Sequence, residues 1–389
     1  MTYPVGYLLS TYFFLICFTY LFFTYIYIKY LKSIEFQNLL LLLHLFTYFC
    51  FYNNNMQKNM LEKLINKEIL TDEEISWFVN KLAQKELSDS IIGAILIGLA
   101  TKGMNESELS SFVKNIQHYS KINPGTKIDA IACIGTGADT QNTFNITTAA
   151  SLVAASCGAN IIKKTSLGTN PKTSNTNFLK ELGIKVCKTE EEAKTQFDKN
   201  NIAFYEGSTL NEIENVINRI RNEFKVRSLL SISEALIQPI QTNKIFLGTA
   251  FPKEAETIMN TIKSLGYTRA LMVNAQNPLL DEISICSETT VWELKNGEIE
   301  KYEITPDSFG IKRSDILSLR GATPKYNANL VLDVFNGKIK DAKLDIIAMN
   351  AGAMIYLADQ SRNYLDGIMQ AYTAISKGLV VQKTNQLKN

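Results

Sequence analysis

Apolar residues in the stretch LEKLINKEILTDEEISWFVNKLAQKEL, residues 61–87, return every three or four positions, the spacing of one face of a helix. Thr71 followed three residues later by Glu74 predicts a capping box at the start of a helix. Ser88-Asp89-Ser90 opens a second helix through Ala100, and Asn105-Glu106-Ser107 a third, so the region begins as a small helical unit. Pro124-Gly125 ends it. The pattern then changes: Ile128 to Ile134 reads as a buried strand running directly into Gly135-Thr136-Gly137-Ala138-Asp139. A helix from Thr147 to Cys157, a strand from Asn160 to Lys163 and a helix from Asn175 to Leu182 follow. Further strands are predicted at Lys244 to Leu247 and Arg269 to Val273, each beside a helix. Strands alternating with helices imply an α/β fold with a mostly parallel central sheet covered on both faces.

The start of the chain follows neither pattern. Met1 to Ile28 contains no charged residue and is long enough to cross ~30 Å of hydrocarbon as a helix, so it is a transmembrane candidate. A second apolar run, Phe36 to Tyr52, is marginal in length. Three readings stay open for residues 1–59: two spans with Lys29 and Lys32 in a cytoplasmic loop, a single span ending at Ile28, or a prelude to a true start at Met60. Membrane contact is expected only under the first two.

Charge and composition narrow the function. The net charge of +2 is the surplus of Lys29, Lys32 and Lys58 over Glu35, so the rest of the chain is neutral and has no electrostatic footprint for nucleic acid. The six cysteines form neither a CxxC pair nor a regular framework, which points to free thiols in a reducing, cytoplasmic setting. Only His44 and His118 are present, so a histidine triad or polyhistidine metal site is not expected.

The strongest local signal is a strand, then Gly135-Thr136-Gly137-Ala138-Asp139, then Thr143-Phe144-Asn145-Ile146-Thr147-Thr148 at the opening of a helix. Small residues let backbone N–H groups converge on an anion, and a helix N-terminus adds the positive end of its dipole. This is phosphate-binding architecture, with an ordinary capped strand-to-helix turn as the bland alternative. Further on, Asp281-Glu282 offers adjacent hard oxygen ligands suited to magnesium together with substrate phosphates.

These segments resemble the GTGGDG and NIST motifs of the anthranilate phosphoribosyltransferases, and the likeness in order and spacing extends through FLKELG (Phe178 to Gly183) and RALMVNAQNPLLDEIS over residues 60–389. The resemblance implies a nucleoside phosphorylase/phosphoribosyltransferase-like fold. A small helical domain (60–126 and about 205–235) would join a larger α/β domain (127–204 and 236–389), with a homodimer formed through the helices. It also implies a donor, 5-phosphoribosyl 1-diphosphate, and a set of substrate-binding residues: Gly135, Ala138, Asp139, Thr143, Asn145, Ile146, Thr147, Thr148, Lys163, Ser166 and Asn175. Mg2+ would be held by Thr147, Asp281 and Glu282, and the acceptor would be anthranilate or a related small amine.

The sequence departs from the family at several of these places. Ala138 stands for a glycine and adds a methyl group where close backbone approach is needed. The family's KHGNR motif has Lys163-Lys164-Thr165-Ser166-Leu167 as its counterpart, so only the first lysine survives. Ser166 replaces an acceptor-binding asparagine and Asn175 a donor-binding serine. Candidates for the arginine that grips the acceptor carboxylate are Arg219 and Arg227, each equally readable as a surface helix charge. Donor and metal features are thus better kept than acceptor features. The expected activity is magnesium-dependent transfer of phosphoribosyl to anthranilate in tryptophan biosynthesis. The alternative is an impaired or non-catalytic family member that binds a phosphorylated ligand or uses another acceptor.

Overall fold

The computed structural model describes residues 55–119, 127–136, 141–165, 174–207, 211–224 and 229–388. The apolar runs 1–28 and 36–52 lie outside these residues, and among the described residues no helix is long and apolar enough to cross a membrane. Contacts divide the chain between Met60 and Leu61, and the architecture below is that of the second unit.

Its first helices begin where the side chains cap them. Thr71 accepts the N–H of Glu74 while Glu74 returns a carboxylate to the N–H of Thr71, which starts Asp72–Ala83. Ser88 caps Asp89–Lys102, and Asn105 with Glu108 forms a second box at the head of Glu106–His118. Ile75, Phe78, Val79 and Leu82 on the first helix and Leu109, Phe112, Val113 and Ile116 on the third are buried, with the Phe78 and Phe112 rings stacked at 6.4 Å. Two later helices, Glu212–Phe224 and Leu229–Leu236, return to pack on this group. The helical part is therefore assembled from two stretches distant in sequence.

Among the described residues eight strands form one sheet: β1 Ile128–Gly135, β2 Ile161–Thr165, β3 Ile202–Glu206, β4 Thr242–Gly248, β5 Arg269–Gln276, β6 Leu279–Leu280, β7 Thr289–Lys295 and β8 Glu298–Ile304. Their order is β3-β2-β1-β4-β5-β7-β8, with β6 paired to β5. The first five are parallel, as the alternation of strand and helix predicts, and β1, β2, β4 and β5 lie where the sequence places strands. Ile131 and Cys133 of β1 join a large core with the helices Ile146–Ser156 and Ala342–Leu357, while Ala130 joins a smaller one with Ile162, Ala203 and Tyr205. Both faces of the sheet are thus covered, which explains its nearly unbroken apolar strands.

The hairpin β7–β8 is an antiparallel addition that the helix-and-strand alternation does not announce. Asn296 and Gly297 join its strands, both with positive φ (54° and 80°), the conformation of a tight two-residue turn. The signal is the Asn-Gly pair between alternating apolar residues.

Candidate active site

In sequence order the chain builds β1, β2 and β3 to one side, then crosses back to lay β4 and β5 on the other side of β1. Where strand order reverses, the loops beyond the strands' carboxyl ends separate and leave a crevice. Here the last residues of the two central strands, Gly135 of β1 and Gly248 of β4, lie directly opposite one another in register. Asp281 lies over both, with its backbone against Gly248 and its carboxylate against Gly135. A Cβ on Gly248 would stand 1.6 Å from the Asp281 carbonyl oxygen, and one on Gly135 would stand 2.8 Å from Asp281 Oδ2. The first glycine of the predicted phosphate loop therefore makes room for a carboxylate.

Asp281 and Glu282 are each only 7% exposed. The Thr136 hydroxyl approaches Asp281 Oδ2 at 3.5 Å and also accepts the N–H of Ala250, which ties the loops after β1 and β4 together. Glu282 Oε1 accepts both the N–H of Thr147 (3.2 Å) and its hydroxyl (2.5 Å) at the first turn of the helix Ile146–Ser156. The carboxylate thus satisfies one of the backbone donors that a helix start leaves without internal partners, at the positive end of the dipole.

Lys163, on β2, is 2% exposed and donates from Nζ to the carbonyl of Cys133 at 3.1 Å. Burial pushes its pKa below the usual lysine range, partly offset by electrostatic interaction with Cys133, Glu282 and Asp281. One cation and two carboxylates therefore act on each other at the crevice. Burial also pushes the Cys133 thiol up to about 12, which makes it a poor nucleophile at neutral pH.

Asn145, Thr148 and Asn175 also come together. Asn145 Nδ2 and Thr148 Oγ1 both donate to Asn175 Oδ1 at 2.8 Å. Asn327, fully buried at the start of the helix Pro324–Phe335, donates to Asn145 Oδ1 at 3.1 Å and accepts the N–H of Ala322. Asn145 therefore spans two segments as well as heading its own helix, where its side chain makes no cap hydrogen bond. Ile146 is buried in the main core, so any contact with a ligand would be through its backbone. Thr143 forms an isolated antiparallel bridge with Arg320.

Among predicted site residues, the structure thus gathers Gly135, Thr147, Lys163, Asp281 and Glu282 in one group, and Asn145, Thr148 and Asn175 beside it. Ala138, Asp139 and Ser166 lie outside the described residues, as does Arg227. Sequence reasoning missed Asn350 and Asn327. Asn350 is fully buried and grips the backbone next to Glu282, accepting from Ile283 N–H and donating to Ile283 O, both at 2.9 Å. The available signal was an amide in the apolar run from Ile346 to Ile355 of the helix Ala342–Leu357.

On the acceptor side the structure describes Arg219 and Lys164. Arg219 is held on the surface by Asp89, with bidentate hydrogen bonds of 2.7 and 2.8 Å between two exposed side chains. It is a surface ion pair and is not presented as a clamp for an acceptor. Lys164, which occupies the histidine position of the KHGNR-like run, is buried and donates to Glu214 Oε1 (2.9 Å), Glu234 O and Ile237 O (both 2.6 Å).

The donor set suits a small hard cation only in part by itself. Among the described residues no three His, Cys, Asp or Glu side chains converge. Two carboxylates and a hydroxyl are nevertheless the protein share that magnesium takes when phosphate and water complete its octahedron. A cation here would compete with the Thr147 hydroxyl for Glu282.

The sequence matches the glycosyl transferase family a/b domain over residues 127–381 and the helical bundle domain of the same family over residues 58–120. It is 32% identical to the anthranilate phosphoribosyltransferase of Methanococcus vannielii, covering 85% of this chain and 100% of that protein. It is 30% identical to that of Methanocorpusculum labreanum, covering 82% and 95%. Among solved structures, the anthranilate phosphoribosyltransferase of Thermus thermophilus has the same fold, with a TM-score of 0.76 at 23% identity over 85% of this chain and 99% of that one. The Saccharomyces cerevisiae enzyme in complex with PRPP and Mg matches with a TM-score of 0.76 at 20% identity over 85% and 96%. With its helical bundle and a/b domains both matched, and with full-length relatives at this identity, the chain belongs to the anthranilate phosphoribosyltransferase family of glycosyl transferases.

Proposed function

We propose that the protein transfers phosphoribosyl from 5-phosphoribosyl 1-diphosphate to anthranilate, with Mg2+, as a step of tryptophan biosynthesis. The observation that carries this reading is Asp281 lying over the ends of β1 and β4 with Glu282 on the first turn of Ile146–Ser156, while the buried Lys163 of β2 is near enough for their charges to act on it. An ammonium and helix N–H groups favour phosphate oxygens. Asp281 and Glu282 would hold Mg2+, with Thr147 beside them, and the ion would neutralise charge on the diphosphate.

In the reaction the bond from ribose C1 to the diphosphate oxygen breaks and its electron pair leaves with the diphosphate. The amine nitrogen forms the new bond to C1 and loses a proton. Lys163 would stay protonated and counter the charge gathering on the leaving group. No histidine base is required, in keeping with a chain whose one described histidine, His118, lies in the helical part against Tyr119. Homodimerisation through the helical part is included in the proposal.

Titration calorimetry with the donor and Mg2+, followed by loss of anthranilate fluorescence, tests the reading. Donor binding that needs Mg2+, with turnover of anthranilate, is expected. Asp281→Asn with Glu282→Gln should abolish the Mg2+-dependent part while the protein remains folded, since neutral amides are poor ligands for a hard dication. Unchanged donor affinity in that double variant would sink the metal assignment. A second reading, a family member with another acceptor or none, is favoured by the diversion of Lys164 and Arg219 into protein contacts. Donor binding without consumption of anthranilate would select it.

A further inference from the structure

The chain leaves its α/β part after β3, at residues 206–207, and returns to it between the helix Leu229–Leu236 and β4, and the Lys164 side chain touches both passages. Its stem runs against Gly207, where a Cβ would stand 2.6 Å from Lys164 Cδ, so glycine there is needed to let the lysine through. Beyond the first passage, Nζ pairs with Glu214 on the helix Glu212–Phe224, with both side chains almost wholly buried. At the second passage it donates to the carbonyls of Glu234 and Ile237, at the end of the helix Leu229–Leu236. The last carbonyls of a helix lack internal partners and carry the negative end of its dipole, so a cation is favoured there. The other carbonyls of that helix end are taken by neutral donors, Ala235 by Gln238 and Leu236 by Gln117. Among these donors Lys164 is the cation.

We propose that Lys164 is a positioning residue that pins the helical part onto the end of β2 and so fixes the acceptor side of the crevice. This rests on the transferase reading, in which the resemblance to the family puts the acceptor side on residues 212–224 and 231–235, within the two helices that Lys164 holds. Lys163, its neighbour on β2, projects from the opposite side of the strand toward Cys133 and the donor side. The donor side is anchored by the ladders of β2 to β1 and β3 and does not depend on the pin.

The test compares Lys164→Met, which keeps the stem, and Glu214→Gln, which keeps the lysine and its two carbonyl contacts, with the parent protein. Three readouts are taken: KM for anthranilate, Kd for the donor with Mg2+, and amide hydrogen exchange. In either variant the acceptor KM should rise at least about tenfold while donor Kd stays within about twofold. Exchange should quicken in Glu212–Phe224 and Leu229–Leu236 and stay unchanged in β1 and β2. An unchanged acceptor KM, or a donor Kd rising in step with it, would overturn the proposal. If Lys164→Met does not fold, Glu214→Gln decides alone. If the parent consumes no anthranilate, the transferase reading has failed separately, and the exchange pattern decides the pin: uniform quickening, or none, overturns it.

Discussion

At the scale of single residues, the two adjacent lysines of β2 have opposite consequences. Lys163 is buried and loss of water lowers its pKa, a cost that its hydrogen bond to the Cys133 carbonyl and the nearby Glu282 and Asp281 charges offset only in part. Lys163→Met should leave thermal stability equal or higher while weakening donor affinity by about 10- to 100-fold, the worth of one or more hydrogen bonds to a charged group. Calorimetry and a melting curve check both halves. The pH dependence follows from the same direction. The ammonium is the binding form, so donor affinity should be full below the folded pKa and fall as pH rises through it, starting below the ordinary lysine value of 10.5. Between the folded and unfolded pKa values the native state binds fewer protons than the unfolded chain, so stability rises with pH there, and Lys163→Met should flatten that rise. Lys164 behaves otherwise, because its charge is matched. Lys164→His, which restores the family's residue type, should cost about 3–5 kcal/mol by leaving the buried Glu214 carboxylate without this ammonium. A melting temperature within a degree or two of the parent would contradict that.

At the scale of elements, the site depends on how closely strand ends and loops approach. Gly248 ends β4 under the backbone of Asp281, so Gly248→Ala forces the Asp-Glu segment to move rather than a flexible side chain to turn. The variant should lose about 1–3 kcal/mol of stability, as overpacked sites do, and lose donor affinity with it. Chemical denaturation and calorimetry measure the two, and a variant that binds donor normally would show that Asp281 does not need its present place. The helices Ala342–Leu357 and Tyr364–Ser376 meet in a similar way, at Gly352 and Gly367, where added methyl groups would strike the facing backbone at 2.7 Å or less. That crossing sets the position of Asn350 and, through it, the backbone beside Glu282.

At the scale of the whole molecule, the proposed homodimer has a candidate surface in the helical part. Ile65, Ile69 and Ile97 are 79%, 58% and 36% exposed. Leu64 lies against Gly98, which brings the stretch bearing Ile65 beside the helix bearing Ile97. Exposed apolar residues gathered in this way mark contact surfaces. Ile65→Lys with Ile69→Lys should convert a dimer into a folded monomer in sedimentation velocity at micromolar concentration. A parent protein that already sediments as a monomer at that concentration would remove the dimer from the proposal.

Periodicity and capping in the sequence were enough for the helices from Asp72 to His118 and for four of the five parallel strands, β1, β2, β4 and β5, because those signals are local: apolar spacing, a hydroxyl or amide at the cap, a strand entering a glycine turn. The Asp281-Glu282 pair and Lys163 were legible too, through motif order. Tertiary structure alone decided which of these meet, since Gly135, Lys163 and Glu282 come from segments brought together only by the reversal of strand order at β1 and β4. It also decided the roles of Asn350, Asn327 and Lys164. A polar side chain in an apolar run says only that a buried partner must exist, and for Lys164 the partners lie 50, 70 and 73 residues away. Local sequence carries the cost of burying such a group, while the fold supplies what offsets it.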